Sequence, residues 1–298
     1  MGRDRVWSNS AILKESERWA WYPQSAERVQ DDLRFLVHMP KHWGFSVVQR
    51  TTAGSEQLAR DLIERTIEDT KAAGRQKLAW QVSGATEPSN MGELLAARGF
   101  EISEELDVLA YEMGSEPEPQ LPQINISSEV SAELVRSVEG LREVHRIGYE
   151  VFHSHMPSEE DIAEYSKELE KLERRESGEL PRGPDDLLTM SFLAFIGKGK
   201  DRDDGQFPDR SAAEGKIIAS AGVTLAGEVA RMWGGGTLED YRGYGAYGAL
   251  VLARCQRAHA LGATLALVKA RVGTSGPILT HAGFEQAGTE RRYELAID

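Results

Sequence analysis

Cysteine is nearly missing from this chain: one residue in 298, Cys255, so no intramolecular disulfide can form and a reducing cytoplasm is the expected setting. No run of about 18 apolar residues occurs, so no membrane-spanning helix is expected. Arg3 and Arg5 near the start are followed by no apolar stretch of the kind a secretory signal needs. Positive charge is also scarce. Lys and Arg number 35 against 48 Asp and Glu, a net charge of −13, which argues against broad nucleic-acid binding because that requires clustered cations. An acidic surface keeps a protein in solution and would attract a cationic amine.

What remains is ordinary globular composition, 40% hydrophobic and 28% charged, at a length that accommodates two domains. The segment 114–123 holds three prolines and two glutamates in ten residues and can continue neither a helix nor a central strand. It is the expected linker between a domain at 1–113 and a second at 124–298. A second polar stretch, 197–215, reads as a solvated loop.

In the second half the periodicity predicts helices over 132–152, 159–176 and 247–261, and strands over 187–196, 216–225, 228–233 and 264–270. Gly262 stops the third helix. Thr274 or Ser275 opens a short helix that ends at Gly283, and the tail returns as a strand or hairpin. The first half echoes this order. A helix ending at Gly74, a strand at Leu78–Val82, a short helix and Gly99-Phe100-Glu101 parallel the helix ending at Gly262, the strand at Leu265–Lys269, a short helix and Gly283-Phe284-Glu285. A period this long implies a duplicated domain.

The stretch expected to carry chemistry runs from Gly234 to Gly248. A strand leads into a glycine-rich turn, and the turn opens a helix. Glycine permits φ > 0 and bares the backbone N–H groups, and the helix start adds unpaired donors and partial positive charge. That combination suits a diphosphate. A Walker loop is excluded because no Gly-Lys-Ser/Thr is present. Gly243, Gly245 and Gly248 fit a dinucleotide fingerprint, but no second βαβ half follows them.

Arg242-Gly243-Tyr244-Gly245-Ala246-Tyr247 resembles the Arg/Gln-x-x-Gly-x-Gly/Ala signature of the GNAT (Gcn5-related N-acetyltransferase) superfamily. It matches at Arg242 and Gly245 and departs at Tyr247. The resemblance covers roughly residues 132–298. It implies an α/β fold of two GNAT-like domains, the first degenerate, and an acetyl-CoA-dependent N-acetyltransferase that modifies a primary amine, more readily of a small molecule than of a histone. By that resemblance the backbone of Gly235, Gly236 and Thr237 pairs with the pantetheine arm. Arg242 and the N–H groups of Gly243, Tyr244, Gly245, Ala246, Tyr247 and Gly248 hold the pyrophosphate. A Gly245→Glu change is then expected to abolish acetyl-CoA binding and leave the fold intact. The partners implied are acetyl-CoA and an amine, with a homodimer possible and no metal.

The catalytic set is less complete. The family's thiolate acid is a Tyr four residues before the Gly-Phe pair, and Leu279 stands there. Tyr244, Ser275, His281 or water are the substitutes, and Ser275 also fits a plain helix cap. Glu228 is a base candidate acting through water, and equally a solvated strand-end carboxylate. His145 and Tyr149 share a helix face, with His153 and His155 beyond, in the region where the family places its acceptor. No zinc-ligand spacing supports a metal. In the first half the counterpart of the loop, 50–57, keeps only Gly54, and Glu56 would repel a pyrophosphate; that half is expected to bind no CoA. Trp19, Trp21, Tyr22 and Trp43 line an acceptor pocket or simply pack. A non-catalytic acyl-CoA-binding protein is the alternative of a different class, and a dinucleotide-binding oxidoreductase a third.

Overall fold

The computed structural model describes residues 7–297 apart from 24, 155, 182, 184, 185 and 198–214. The interior of the 197–215 loop and His155 therefore lie outside the described residues. In chain order the elements are α1 (Asn9–Glu17), β1 (Glu27–Gln30), β2 (Arg34–His38), β3 (Phe45–Thr51), α2 (Glu56–Ala72), β4 (Lys77–Ser83), α3 (Met91–Ala97), β5 (Glu101–Glu112), β6 (Val130–Leu134), α4 (Val138–Phe152), α5 (Glu159–Glu176), β7 (Leu187–Ile196), β8 (Lys216–Ala226), β9 (Val229–Thr237), α6 (Ala246–Ala260), β10 (Leu265–Arg271), α7 (Ser275–His281) and β11 (Glu285–Ala296). This is a mixed α/β fold in which strands and helices alternate through both halves.

Two compact units emerge, and they interleave along the chain. The first comprises Ser8–Leu109, Lys269–Thr280 and Glu285–Asp298. The second comprises Ala110–Val268 and His281–Phe284 together with Trp7. The segment 114–123 carries no helix or strand and belongs to the second unit. The C-terminal tail forms one strand, β11, whose antiparallel ladder with β4 runs from Glu290↔Ser83 to Ala296↔Lys77.

In the first unit β1, β2 and β3 pair antiparallel, and β3 pairs parallel with β4 from Phe45↔Lys77 to Val48↔Trp80. The helix α2 forms because Ser55 caps it, accepting from the Leu58 N–H, and because Ala59, Leu62, Ile63, Thr66, Ile67 and Thr70 recur on one face. That face packs with Trp80, Leu95 and Phe100 into the core.

In the second unit β6, β7, β8 and β9 pair antiparallel, and β9 pairs parallel with β10 from Val229↔Leu265 to Met232↔Val268. Residues 132–134 belong to β6 and not to the following helix. The helix is capped by Ser137, whose side chain accepts from the Gly140 N–H 3.1 Å away, and the preceding residues pair with β7. The strand expected at 228–233 runs on through three glycines to Thr237. A capping box between Ser158 and Asp161 opens α5.

The repeat read from the sequence has a structural counterpart. Each half contains a strand, a helix and a parallel strand in register over four residue pairs: β3–α2–β4 in one, β9–α6–β10 in the other. A short helix and a strand follow in both, α3–β5 and α7–β11.

Candidate acyl-CoA site

The site is built where β9 leaves its neighbours. Against β8 the register jumps from Gly222↔Trp233 to Ser220↔Gly236, so Gly234 and Gly235 together oppose the single Ala221. This is a β-bulge, and Gly234 adopts φ +61° within it. The extra residue reverses the alternation of faces. The Trp233 ring lies over Gly222 and its Nε1 donates to Thr224 Oγ1 at 3.0 Å. Gly235 instead faces Tyr247 and Arg254 of α6, and Gly236 faces Phe152 and Val151 of α4. Pairing with β10 ends at Met232, so Trp233–Thr237 extend beyond that ladder.

Gly235 and Gly236 are therefore required for packing, and Gly234 for its positive φ. A β-carbon at Gly235 would stand 2.7 Å from Tyr247 Cε2, and one at Gly236 would stand 2.8 Å from Phe152 Cζ. Tyr247 is the position where the chain departs from the family signature. Its ring occupies the space that Gly235 leaves open, so a large residue on the helix is matched by a missing one on the strand.

Beyond Thr237 a single turn of 3-10 helix at Glu239–Tyr241 leads to Arg242, then Gly243 at φ +88° and Gly245 at φ +85°. Gly245 is the N-cap of α6 and offers no side-chain acceptor, and the first turn of α6 contains no acidic residue. The donors at this helix start are thus not satisfied by a capping side chain, and its partial positive charge is not offset from within. Arg242 is exposed, 4.0 Å from Glu239. Lys216 Nζ donates to the Tyr241 hydroxyl at 2.7 Å, a second cation beside the turn that the sequence did not single out.

The backbone of Asn125–Ser127 lies against the same turn, and the Ser127 N–H donates to Tyr244 O at 3.3 Å. A β-carbon on Gly245 would be 2.8 Å from both Asn125 O and Ile126 Cα. Together with its positive φ this makes Gly245→Glu a perturbation of the fold, and the expectation that the fold would survive it is withdrawn.

The equivalent turn of the first unit is built differently. Ser55 caps α2 with its own side chain and Glu56 sits in the first turn. The place where β3 would part from β4 is filled: Ala53 N–H donates to Glu87 O at 3.0 Å, Glu87 N–H to Thr51 O at 3.2 Å, and the buried Trp80 Nε1 to Thr51 Oγ1 at 2.9 Å. By register Trp80 corresponds to Val268 in the second unit.

The proposed catalytic residues are dispersed. Tyr244 is on the turn itself and 46% exposed. Glu228 is not brought to the turn: it precedes the first residue of β9 while the bulge lies near the other end. Gly236 lies eight positions further on, about 26 Å of extended chain. Its carbonyl accepts from Thr264 and Leu265, as a strand-end residue would. Ser275 belongs to the first unit, where its hydroxyl accepts from the Arg271 N–H at 3.1 Å. Leu279 is fully buried. His145 stacks on Tyr165 with ring centroids 4.8 Å apart, and burial holds its pKa below the ordinary 6.5 while Asp161 pulls the other way. It is a packing residue between α4 and α5. Tyr149 is exposed, and His153 ends α4 in the left-handed region at φ 52°. Trp21 and Trp43 stack on each other at 5.8 Å in the first unit.

No protein-family model and no curated protein matches the chain. Solved structures do. A GCN5-related N-acetyltransferase from Kribbella flavida superposes with a TM-score of 0.60 at 18% identity, covering 96% of this chain and 93% of that one. A GCN5-related N-acetyltransferase from Sphaerobacter thermophilus gives 0.58 at 13%, covering 89% and 76%. A tandem GNAT protein of the clavulanic acid biosynthesis pathway, without AcCoA, gives 0.57 at 14%, covering 96% and 87%. At these identities the likeness establishes the fold: the chain has the GNAT architecture, in the tandem arrangement.

Proposed function

We propose that the second unit binds acetyl-CoA and transfers its acetyl group to a primary amine, and that the first unit binds no CoA. The observation carrying this reading is the contrast between the two helix starts. The start of α6 has a glycine cap at positive φ, no capping side chain and no acid, whereas that of α2 is capped by Ser55 and carries Glu56. In this reading the N–H groups of Gly243–Gly248 receive the pyrophosphate, aided by Arg242. The backbone of Gly235–Thr237, beyond the β10 ladder, receives the pantetheine arm as an added strand.

The reaction is direct. The amine nitrogen attacks the thioester carbonyl carbon, the C–S bond breaks, the amine loses a proton and the CoA thiolate gains one. The protein holds the two reactants together and supplies a backbone N–H to the carbonyl oxygen. Tyr244, exposed on the turn itself, is the candidate for exchanging a proton. In this reading Glu228 has no part in the step, because it lies at the far end of β9 from the bulge.

A non-catalytic acyl-CoA-binding protein is the second reading, favoured by the buried Leu279 at the family's acid position. Incubation of acetyl-CoA with polyamines, aminoglycosides, amino acids and peptides, with free thiol as readout, separates the two. Thiol release with any of these amines supports transfer. Acetyl-CoA binding without release from the whole panel supports the binding protein.

A further inference from the structure

Arg254 is the one fully buried arginine of α6. The buried Arg34 pairs with Asp69, whereas the buried Arg75, like Arg254, is held by backbone carbonyls, those of Met39 and Ala73. Among the described residues no carboxylate pairs with Arg254. Its Nε donates to Leu250 O at 3.0 Å, and its Nη1 donates to Gly222 O at 3.1 Å and Trp233 O at 3.4 Å. Tyr247 supplies a further hydrogen bond, and burial pushes the guanidinium pKa below its ordinary value.

A buried charge without a counter-ion is costly, and an apolar side chain of similar volume would fill the same space at less cost. The cost is informative because of where the donors point. Gly222 and Trp233 are the last registered pair before the bulge, and the guanidinium holds a carbonyl of each. The Trp233 carbonyl shares its peptide plane with the Gly234 N–H, which points the opposite way in a trans peptide. A cation bonded to that carbonyl enlarges the peptide dipole and strengthens the N–H as a donor. Gly234 has no register partner in either β8 or β10.

We propose that Arg254 is a positioning residue for acyl transfer: by gripping the carbonyls of Gly222 and Trp233 from beneath, it fixes the Gly234 bulge and turns its N–H into the donor for the thioester carbonyl oxygen. The proposal rests on the acetyl-CoA reading above.

The test uses the full chain with Arg254→Met and Arg254→Lys. Acetyl-CoA labelled with carbon-13 at the carbonyl is bound, and the carbonyl stretch is read by isotope-edited infrared spectroscopy. Affinity for unacylated CoA is measured in parallel, as is amide exchange at Gly234–Gly236 by NMR without ligand. The wild type is expected to shift the carbonyl to lower frequency than free acetyl-CoA. Arg254→Met is expected to lose most of that shift and to exchange at least ~10-fold faster at Gly234–Gly236, with CoA affinity within ~3-fold of wild type. Arg254→Lys, which keeps the charge and fewer donors, is expected to fall between them and serves alone if the Met variant does not fold. An unchanged carbonyl frequency in a folded variant that still binds acetyl-CoA overturns the role of Arg254 and leaves the functional reading standing. A wild type that does not bind acetyl-CoA overturns both.

Discussion

The reciprocal fit of Gly235 and Tyr247 yields a quantitative prediction. Gly235→Ala would place a β-carbon 2.7 Å from Tyr247 Cε2 and 3.7 Å from Arg254 Nη2. Contact between carbons is comfortable near 3.5–4.0 Å, so ring or strand must move by roughly an ångström. Tyr247 is half-buried and bonded to Arg254, which limits the retreat of the ring. Overpacking of this kind costs about 1–3 kcal/mol, from which the lower chain entropy of alanine in the unfolded state recovers about 0.4–1 kcal/mol. A net loss of about 1–2 kcal/mol is expected, read as a lower urea midpoint at unchanged slope. Two comparisons isolate the cause. Gly148→Ala lies within α4 with its nearest neighbour, Ser154 Oγ, at 3.4 Å, so it is expected to be neutral or to stabilise by up to about 1 kcal/mol. In a Tyr247→Leu background the penalty of Gly235→Ala is expected to fall by at least about 0.5 kcal/mol. If Gly235→Ala is as stable as wild type, or costs the same with and without the tyrosine ring, the compensation argument for the altered signature fails.

Further predictions follow from the same geometry. Arg242→Glu reverses an exposed charge at the turn and should weaken acetyl-CoA binding by about tenfold or more, with an unaltered melting temperature and a smaller dependence on salt; equal affinity by calorimetry would move the pyrophosphate elsewhere. Burial lowers the pKa of His145, and of His38 beside Arg75, below 6.5. The unfolded chain therefore binds more protons than the folded one below that value, and stability should fall as pH drops from about 7 through the depressed folded values. His145→Phe should flatten the stability profile over that range, and an unchanged slope would contradict the assignment. Burial also drives the Cys255 thiol up to about 12, so a disulfide reagent should find no thiol in the native protein and one in denaturant. Native labelling of Cys255 would refute the buried placement, and its absence gives the thiol-release assay a clean background.

Much of the architecture was legible because its signals are local. The bounds of α5 and β7 follow from periodicity, and both halves of the repeat could be read from glycine stops and apolar runs. The start of α4 was placed too early, because what makes residues 130–134 a strand is their pairing with β7, about sixty positions along the chain. The tail could be read as a strand, but its partner could not, since a ladder between β11 and β4 joins residues some two hundred positions apart. In the site the turn and its glycines were visible, whereas the bulge was not. It depends on a register shift against β8, which no pattern within β9 discloses. Arg254 was not singled out for the same reason: its carbonyl partners, Gly222 and Trp233, lie 32 and 21 positions away in the chain. Glu228 was chosen by its place in the chain, which does not disclose that β9 sets it at the far end from the bulge.

Hydrogen–deuterium exchange of the full chain with and without saturating acetyl-CoA tests the central claim most directly. The account predicts new protection in 233–248, covering the bulge and the start of α6, and none in 50–57, the capped counterpart in the first unit. Protection in 50–57, or no change in 233–248 at saturation, would contradict it.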